Sequence, residues 1–181
     1  PAAKRNRLAQ VVTGGWSLEN IIQARSAPPV DVFNSLLGQV LLNAQTHIRP
    51  DVVPGQPFYV FGPQYPGGKA FNPAAFVAPA TGKQGNLGRN TLRGFGAGNW
   101  DLAIHRDFLI REPIKLQFRA EMFNVLNHPN FGPPVADLSR PNFGVSTELL
   151  GQSLAGGALG GGAFSPLYQL GGPRSIQFGL K

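Results

Sequence analysis

Four segments of the chain alternate apolar and polar residues with a period of two, and no other feature of the sequence restricts the fold as strongly. The alternation is clearest from Ile114 to Met122, where charged or amide side chains separate Leu116, Phe118 and Ala120. Successive side chains of a β-strand point to opposite faces, so this pattern predicts a sheet with one apolar and one polar face. With a short apolar run near the start of the chain, the expected strands are 8–12, 16–26, 99–110, 114–126 and 174–181.

The alternation assigns individual side chains to the two faces of the predicted sheet. The apolar face is expected to carry Trp16, Leu18, Trp100, Leu102, Ile104, Leu116, Phe118, Ile176 and Phe178. The polar face is expected to carry Glu19, Gln23, Arg25, Asp101, His105, Lys115, Gln117, Arg119 and Glu121. Two positions break the pattern: Asn20 falls on the apolar face with Ile21 opposite, and Arg106 falls among apolar residues. Near the rim of a sheet Arg106 is tolerable, because its long side chain can reach water.

Composition supports β structure and excludes several classes of protein. The 181 residues include 24 Gly and 17 Pro, and only 14% are charged, which disfavours a helical bundle. The net charge of +7 arises from 16 basic residues scattered among only 9 acidic ones, so we expect no nucleic-acid partner. The absence of cysteine excludes disulfides and thiolate metal sites.

The lengths of the connections predict how the strands are arranged. Thr13–Gly15 and Arg111–Pro113 are short enough for hairpin turns, whereas 26–98 and 127–173 are long and rich in Gly, Pro and Asn. In an antiparallel up-and-down meander, the short turns lie at one end of the sheet and both long loops at the other, with Lys181 at the short-turn end. This separation is typical of outer-membrane barrels, in which the polar face lines the lumen and the apolar face contacts lipid.

One segment of the first long loop has two possible structures. Apolar residues from Phe33 to Ala44 have helical spacing after Asp31, a possible cap, but Gly38 interrupts them. A hairpin that continues the strands is equally compatible with so short an apolar run.

No motif in the sequence predicts catalysis, a metal site or a cofactor. His47, His105 and His128 are far apart and outside any metal-binding pattern. The segment 62–69 imitates a phosphate-binding loop but has Ala70 where Ser or Thr is required, and 94–98 lacks the spacing of a dinucleotide site. The acidic residues of the predicted polar faces could include an acid/base pair, but each has basic or amide neighbours on its own face; they are Glu19, Asp101, Asp107 and Glu121. We therefore expect a protein that is not an enzyme.

An ordered set of motifs identifies a family. The stretches 85–94 (GNLGRNTLRG), 99–102 (NWDL), 116–124 (LQFRAEMFN), 127–131 (NHPNF) and 173–181 (PRSIQFGLK) follow one another, and 49–53 (RPDVV) and 72–76 (NPAAF) add to them. Together they resemble the C-terminal barrel region of Oar-like TonB-dependent outer-membrane receptors. Such receptors carry an N-terminal carboxypeptidase-regulatory-like domain and are abundant in Acidobacteria.

The resemblance implies an all-β protein of the bacterial outer membrane that takes up a bulky nutrient. In that case residues 1–181 are a C-terminal fragment of a transmembrane β-barrel, and 26–98 and 127–173 are its extracellular loops. Its partners would be outer-membrane lipid, an unidentified nutrient and, through the full-length parent protein, TonB and the barrel-assembly machinery. The alternative is a soluble β-sandwich module for adhesion or carbohydrate binding, which would bury the apolar face against a second sheet.

Overall fold

A computed structural model of the chain describes residues 14–37, 47–154 and 171–181. The predicted strand 8–12 lies outside these residues. Within them the chain forms ten strands, a short helix, a helical turn at 35–37 and two 3₁₀ turns, Pro66–Gly68 and Pro73–Ala75. The strands are β1 (Trp16–Arg25), β2 (Pro29–Val30), β3 (Asp51–Val52), β4 (Tyr59–Phe61), β5 (Lys69–Phe71), β6 (Phe76–Val77), β7 (Leu92–Arg93), β8 (Ala97–Arg111), β9 (Ile114–Phe123) and β10 (Ser175–Leu180); the helix, α1 (Leu150–Leu154), precedes β10.

The long strands form one antiparallel sheet in the order β1-β8-β9-β10, which confirms the predicted meander. Each strand has nearly the predicted bounds, because a period of two over several residues is a local signal. The largest difference is at the end of β9, which stops at Phe123 rather than at 126. Asn124 adopts a left-handed conformation with φ of 49°, which ends the extended backbone and which Asn tolerates better than most residues.

The register fixes which connections share an end of the sheet. Arg25 pairs with Ala97, so the first long loop leaves and re-enters at one end. Phe123 pairs with Ser175, so the second long loop begins and ends at that same end. At the opposite end Lys181 exchanges two backbone hydrogen bonds with Gln117, at 2.8 and 3.0 Å. Both loops therefore project from one end, as predicted.

The described parts of the two long connections pack into a structured unit, which we call the loop body (residues 29–37, 47–96 and 124–154). Three two-stranded sheets, β2-β7, β3-β6 and β4-β5, lie in it. Phe143 of the second connection packs between Phe71 and Phe76 of the first, with ring centroids 6.2 and 5.8 Å apart. The two connections thus share one hydrophobic core, whose buried members are Val30, Val32, Phe71, Ala75, Phe76, Leu87, Leu92 and Phe143.

Asn130 joins the loop body to the sheet, and Asn124, directly after β9, ties together the two ends of the second connection. The Asn130 side chain, 1% exposed, accepts a hydrogen bond from the Gly98 N–H and donates one to the Gly98 carbonyl, both at 2.9 Å. Asn124 donates to the carbonyls of His128 and Gly172 at 3.0 and 2.7 Å. The side-chain amide suits both sites because it carries a donor and an acceptor together.

The segment from Phe33 to Ala44, for which the sequence allows a helix or a hairpin, forms a helical turn at residues 35–37. Residues 38–44 lie outside the described residues. The cap of the turn is Asn34, whose side chain accepts a hydrogen bond from the Leu37 N–H at 3.2 Å. The prediction that Asp31 caps this turn is wrong, because the Asp31 carboxylate accepts a hydrogen bond from the Asn90 N–H at 2.8 Å instead. In the described part of the chain no helix has the length and apolar character needed to cross a membrane.

Candidate functional site

Cross-strand pairing brings every residue predicted for the apolar face onto one face of the four-stranded sheet. One row of neighbours, for example, runs from Leu18 through Ile104 and Ala120 to Phe178. Leu18 is 63% exposed and Phe178 73% exposed. The apolar face consists of Trp16, Leu18, Asn20, Ile22, Ala24, Gly98, Trp100, Leu102, Ile104, Arg106, Phe108, Leu116, Phe118, Ala120, Met122, Ile176, Phe178 and Leu180.

Arg106 lies on the apolar face near the short-turn end, but it does not reach water as expected. The residue is 8% exposed, because aromatic rings cover it. Its guanidinium carbon is 5.3 Å from the centre of the Trp16 ring and 4.5 Å from that of Phe108. Such stacking stabilises a cation in a partly apolar environment. The sequence could not show this, because it requires the register between two strands.

The other exception, Asn20, lies on the apolar face opposite Leu102, and Ile21 is 59% exposed on the polar face. Nothing in the structure explains this pair of residues.

The opposite face of the sheet carries every residue predicted to be polar-facing. The polar face consists of Ser17, Glu19, Ile21, Gln23, Arg25, Ala97, Asn99, Asp101, Ala103, His105, Asp107, Leu109, Lys115, Gln117, Arg119, Glu121, Phe123, Ser175, Gln177 and Gly179. A cleft of about 270 Å³ runs along it between β1, β8 and β9.

Charged side chains on the polar face are arranged in cross-strand and same-strand pairs. The Glu19 carboxylate lies 3.8 Å from Nδ1 of His105, a diagonal neighbour on the adjacent strand β8. Arg119 and Glu121 form an ion pair at 2.5 Å, and Glu121 also accepts a hydrogen bond from Gln177. Glu19 and Glu121 thus each have a basic or amide neighbour on the polar face.

Asp101 and Asp107 have structural partners of their own. Asp101 accepts hydrogen bonds from the Asn99 side chain at 2.8 Å and from the Asn124 N–H at 2.9 Å, so it helps to end β9. Asp107 accepts from the Gln117 side chain at 2.8 Å. Both carboxylates support the sheet.

A buried carboxylate that the sequence analysis did not identify holds the two connections of the loop body together. Asp137 accepts hydrogen bonds from the N–H and hydroxyl groups of Ser35, at 3.2 and 2.6 Å, and from those of Ser139, at 3.0 and 2.8 Å. Burial raises the pKa of this carboxyl, but the hydrogen bonds from Ser35 and Ser139 outweigh burial and lower the pKa to about 2. No local pattern marks the site, because Ser35 lies 102 residues away.

Lys69, the lysine of the segment that imitates a phosphate-binding loop, is occupied within the protein. Its ammonium group donates to the Gly94 carbonyl at 2.6 Å and lies 5.1 Å from the centres of the Tyr59 and Phe95 rings. Burial lowers its pKa. The segment therefore fixes β5 against the chain before β8 and leaves no ammonium group for a phosphate.

No group of three or more His, Asp or Glu residues that could hold a metal ion occurs in residues 14–37, 47–154 and 171–181.

A family model described as "Outer membrane beta barrel domain" matches residues 1–177. No curated protein and no solved structure matches the chain.

Proposed function

Because the chain belongs to the family of outer membrane beta barrel domains, we propose that it forms the C-terminal barrel wall of an Oar-like, TonB-dependent receptor. Family membership makes it a membrane barrel protein of the bacterial outer membrane. The receptor type, the dependence on TonB and the transport of a bulky nutrient are the parts that we propose.

The observation that supports a position in a barrel wall is the uncovered apolar face of the sheet. Ile22 is 70% exposed and Leu180 72% exposed, in the same face as Leu18 and Phe178. Each Å² of apolar surface removed from water stabilises a structure by about 25 cal/mol. A sheet face with many exposed apolar side chains is therefore stabilised by an apolar neighbour. In a barrel wall that neighbour is lipid, and we propose that the polar face lines the lumen.

The alternative of a soluble sandwich has less support. It would need a second sheet over the apolar face. The other sheets of the described residues are two-stranded and belong to the loop body, and the apolar face is exposed.

The loop body supports a role in capturing a ligand from outside the cell. Outer-membrane barrels have short periplasmic turns and long extracellular loops. The shared end of the two long connections would then be extracellular, and their common core would hold a defined surface over the barrel mouth. We also propose that the protein is not an enzyme, since the carboxylates of the polar face are engaged with structural partners.

The TonB-dependent part rests on the ordered motifs from 85–94 to 173–181. It can be tested with the full-length parent protein, purified from outer membranes in detergent. We expect it to bind the purified periplasmic domain of TonB, while a porin prepared in the same way does not. Absence of binding by a parent protein that shows the heat-modifiable gel mobility of a folded barrel would contradict the receptor type and leave the barrel intact.

A further inference from the structure

A cleft of about 380 Å³ opens in the loop body, away from the faces of the four-stranded sheet. Three segments of the first connection form it, and backbone hydrogen bonds tie these segments together. The Asn34 N–H donates to the Ile48 carbonyl at 2.9 Å, and the Gly85 N–H donates to the Arg49 carbonyl at 2.9 Å. Its volume is within the range of about 300–1,000 Å³ that small-molecule sites occupy. The lining residues are Asp31, Val32, Phe33, His47, Arg49, Gln84 and Arg89.

Two arginines give the cleft an excess of positive charge over the single carboxylate of Asp31. Arg49 donates from Nη1 to the Leu87 carbonyl at 3.0 Å, which fixes its guanidinium at the cleft wall. Arg89 is exposed and forms no hydrogen bond or ion pair with its side chain in the described part of the chain. Neither arginine forms an ion pair with Asp31 there. Two guanidinium groups that remain open to an external partner favour a carboxylate or a phosphate.

A flat ring and a carboxylate complete the lining. His47 stacks on Phe33 with ring centroids 4.1 Å apart and an interplanar angle of 30°, so the exposed imidazole is held in one orientation. Asp31 uses Oδ1 to accept from the Asn90 N–H, and Oδ2 has no partner among the described residues. A ring platform suits a ring-shaped ligand, and a carboxylate oxygen accepts hydrogen bonds from hydroxyl groups.

We propose that this cleft binds a uronate, a sugar that carries a carboxylate, as one unit of an acidic oligosaccharide. Arg49 and Arg89 would bind the carboxylate, the His47 ring would pack against the sugar ring, and Asp31 would accept from a hydroxyl. The inference names a ligand class for the proposed receptor and rests on the extracellular position of the loop body.

The test uses isothermal titration calorimetry on the full-length parent protein in detergent. Trigalacturonate is the probe, and maltotriose is its uncharged counterpart with the same number of rings. We expect trigalacturonate to bind at least about tenfold more tightly, because charge-assisted hydrogen bonds are the stronger ones. Equal affinity for the two sugars would overturn the proposal.

Variants assign the binding to this cleft. Arg89→Gln should weaken trigalacturonate binding about tenfold, because it removes the charge-assisted hydrogen bonds that Arg89 would donate to the ligand carboxylate. The side chain is exposed, so the change should leave the core intact. Arg93→Gln is the matched control, because it removes the same charge from the loop body outside the cleft, and should leave the affinity unchanged. His47→Ala should weaken the binding of trigalacturonate but not the binding of acetate, which has a carboxylate and no sugar ring. Equal losses in Arg89→Gln and Arg93→Gln would mean that only net charge matters and would contradict the site.

Competition with inorganic phosphate tests whether the cleft recognises the sugar acid or only a small anion. We expect phosphate to compete only at concentrations far above that of trigalacturonate; phosphate binding without trigalacturonate binding would overturn the proposal. The TonB-domain assay on the same sample distinguishes the two failures. A parent protein that binds TonB but no uronate contradicts this inference alone, whereas one that binds neither contradicts the proposed function as well.

Discussion

Replacement of Phe178 by Arg tests directly whether the apolar face of the sheet contacts lipid. Phe178 shares a row with Ile104, the middle residue of β8, so we expect it near the midplane of the membrane. It is 73% exposed in the chain itself, so the new side chain meets little protein. The outcome therefore depends on what surrounds that face.

The expected magnitudes differ clearly between lipid and water. Arg on a lipid face near the midplane costs about 2–4 kcal/mol, which lowers the ratio of folded to unfolded protein about 30- to 900-fold. At a position surrounded by water the same change costs about 0.5 kcal/mol or less. Phe178 also stacks on Phe118 with centroids 6.2 Å apart, so loss of the ring must be measured separately. Phe178→Leu provides that control, because it removes the ring without adding charge.

Gln177→Arg is the matched control on the polar face, where Gln177 already contacts Glu121 and a guanidinium can pair with that carboxylate. The full-length parent is folded into lipid vesicles and unfolded with urea, and the folded fraction is read from heat-modifiable gel mobility. We expect Phe178→Arg to be much less stable than both Phe178→Leu and Gln177→Arg. If Phe178→Arg is as stable as Gln177→Arg, the two faces are assigned incorrectly or lipid does not cover them.

Three further changes test how the loop body is held together. Asp137→Asn should destabilise it by about 1–3 kcal/mol, measured as faster limited proteolysis. The pKa of Asp137 is lowered to about 2 from 3.8, so its contribution should be complete above about pH 4 and lost as pH falls towards 2; the variant should lack this pH dependence. Gly144→Ala should cost more than about 1 kcal/mol in urea unfolding, because Gly144 has φ of +80° and a Cβ there would lie 2.5 Å from the Phe71 carbonyl oxygen; unchanged stability would contradict the local geometry. Asn130→Ala should expose the Gly98 amide to faster hydrogen exchange, since it removes two hydrogen bonds, and unaltered exchange would show that this junction is held elsewhere.

The candidate uronate site was not predictable from the sequence. Arg49, Gln84 and Arg89 belong to segments that carry no ligand-binding motif, and the sequence around His47 has no recognisable binding pattern. The cleft exists because hydrogen bonds between distant segments, two of backbone to backbone and one from the Asn90 N–H to the Asp31 side chain, bring Asp31, Arg49 and Arg89 together.

The sequence by itself determined the four-stranded meander and the composition of its two faces. The alternation within each strand is local, and the turn at Arg111–Pro113 leaves adjacent strands no arrangement other than antiparallel pairing. Only the tertiary structure decided that Arg106 lies under aromatic rings and that Asp137 joins two distant connections. The physical reason is that the loop body is built from contacts such as Ser35 with Asp137, which are 102 residues apart and follow no period along the chain.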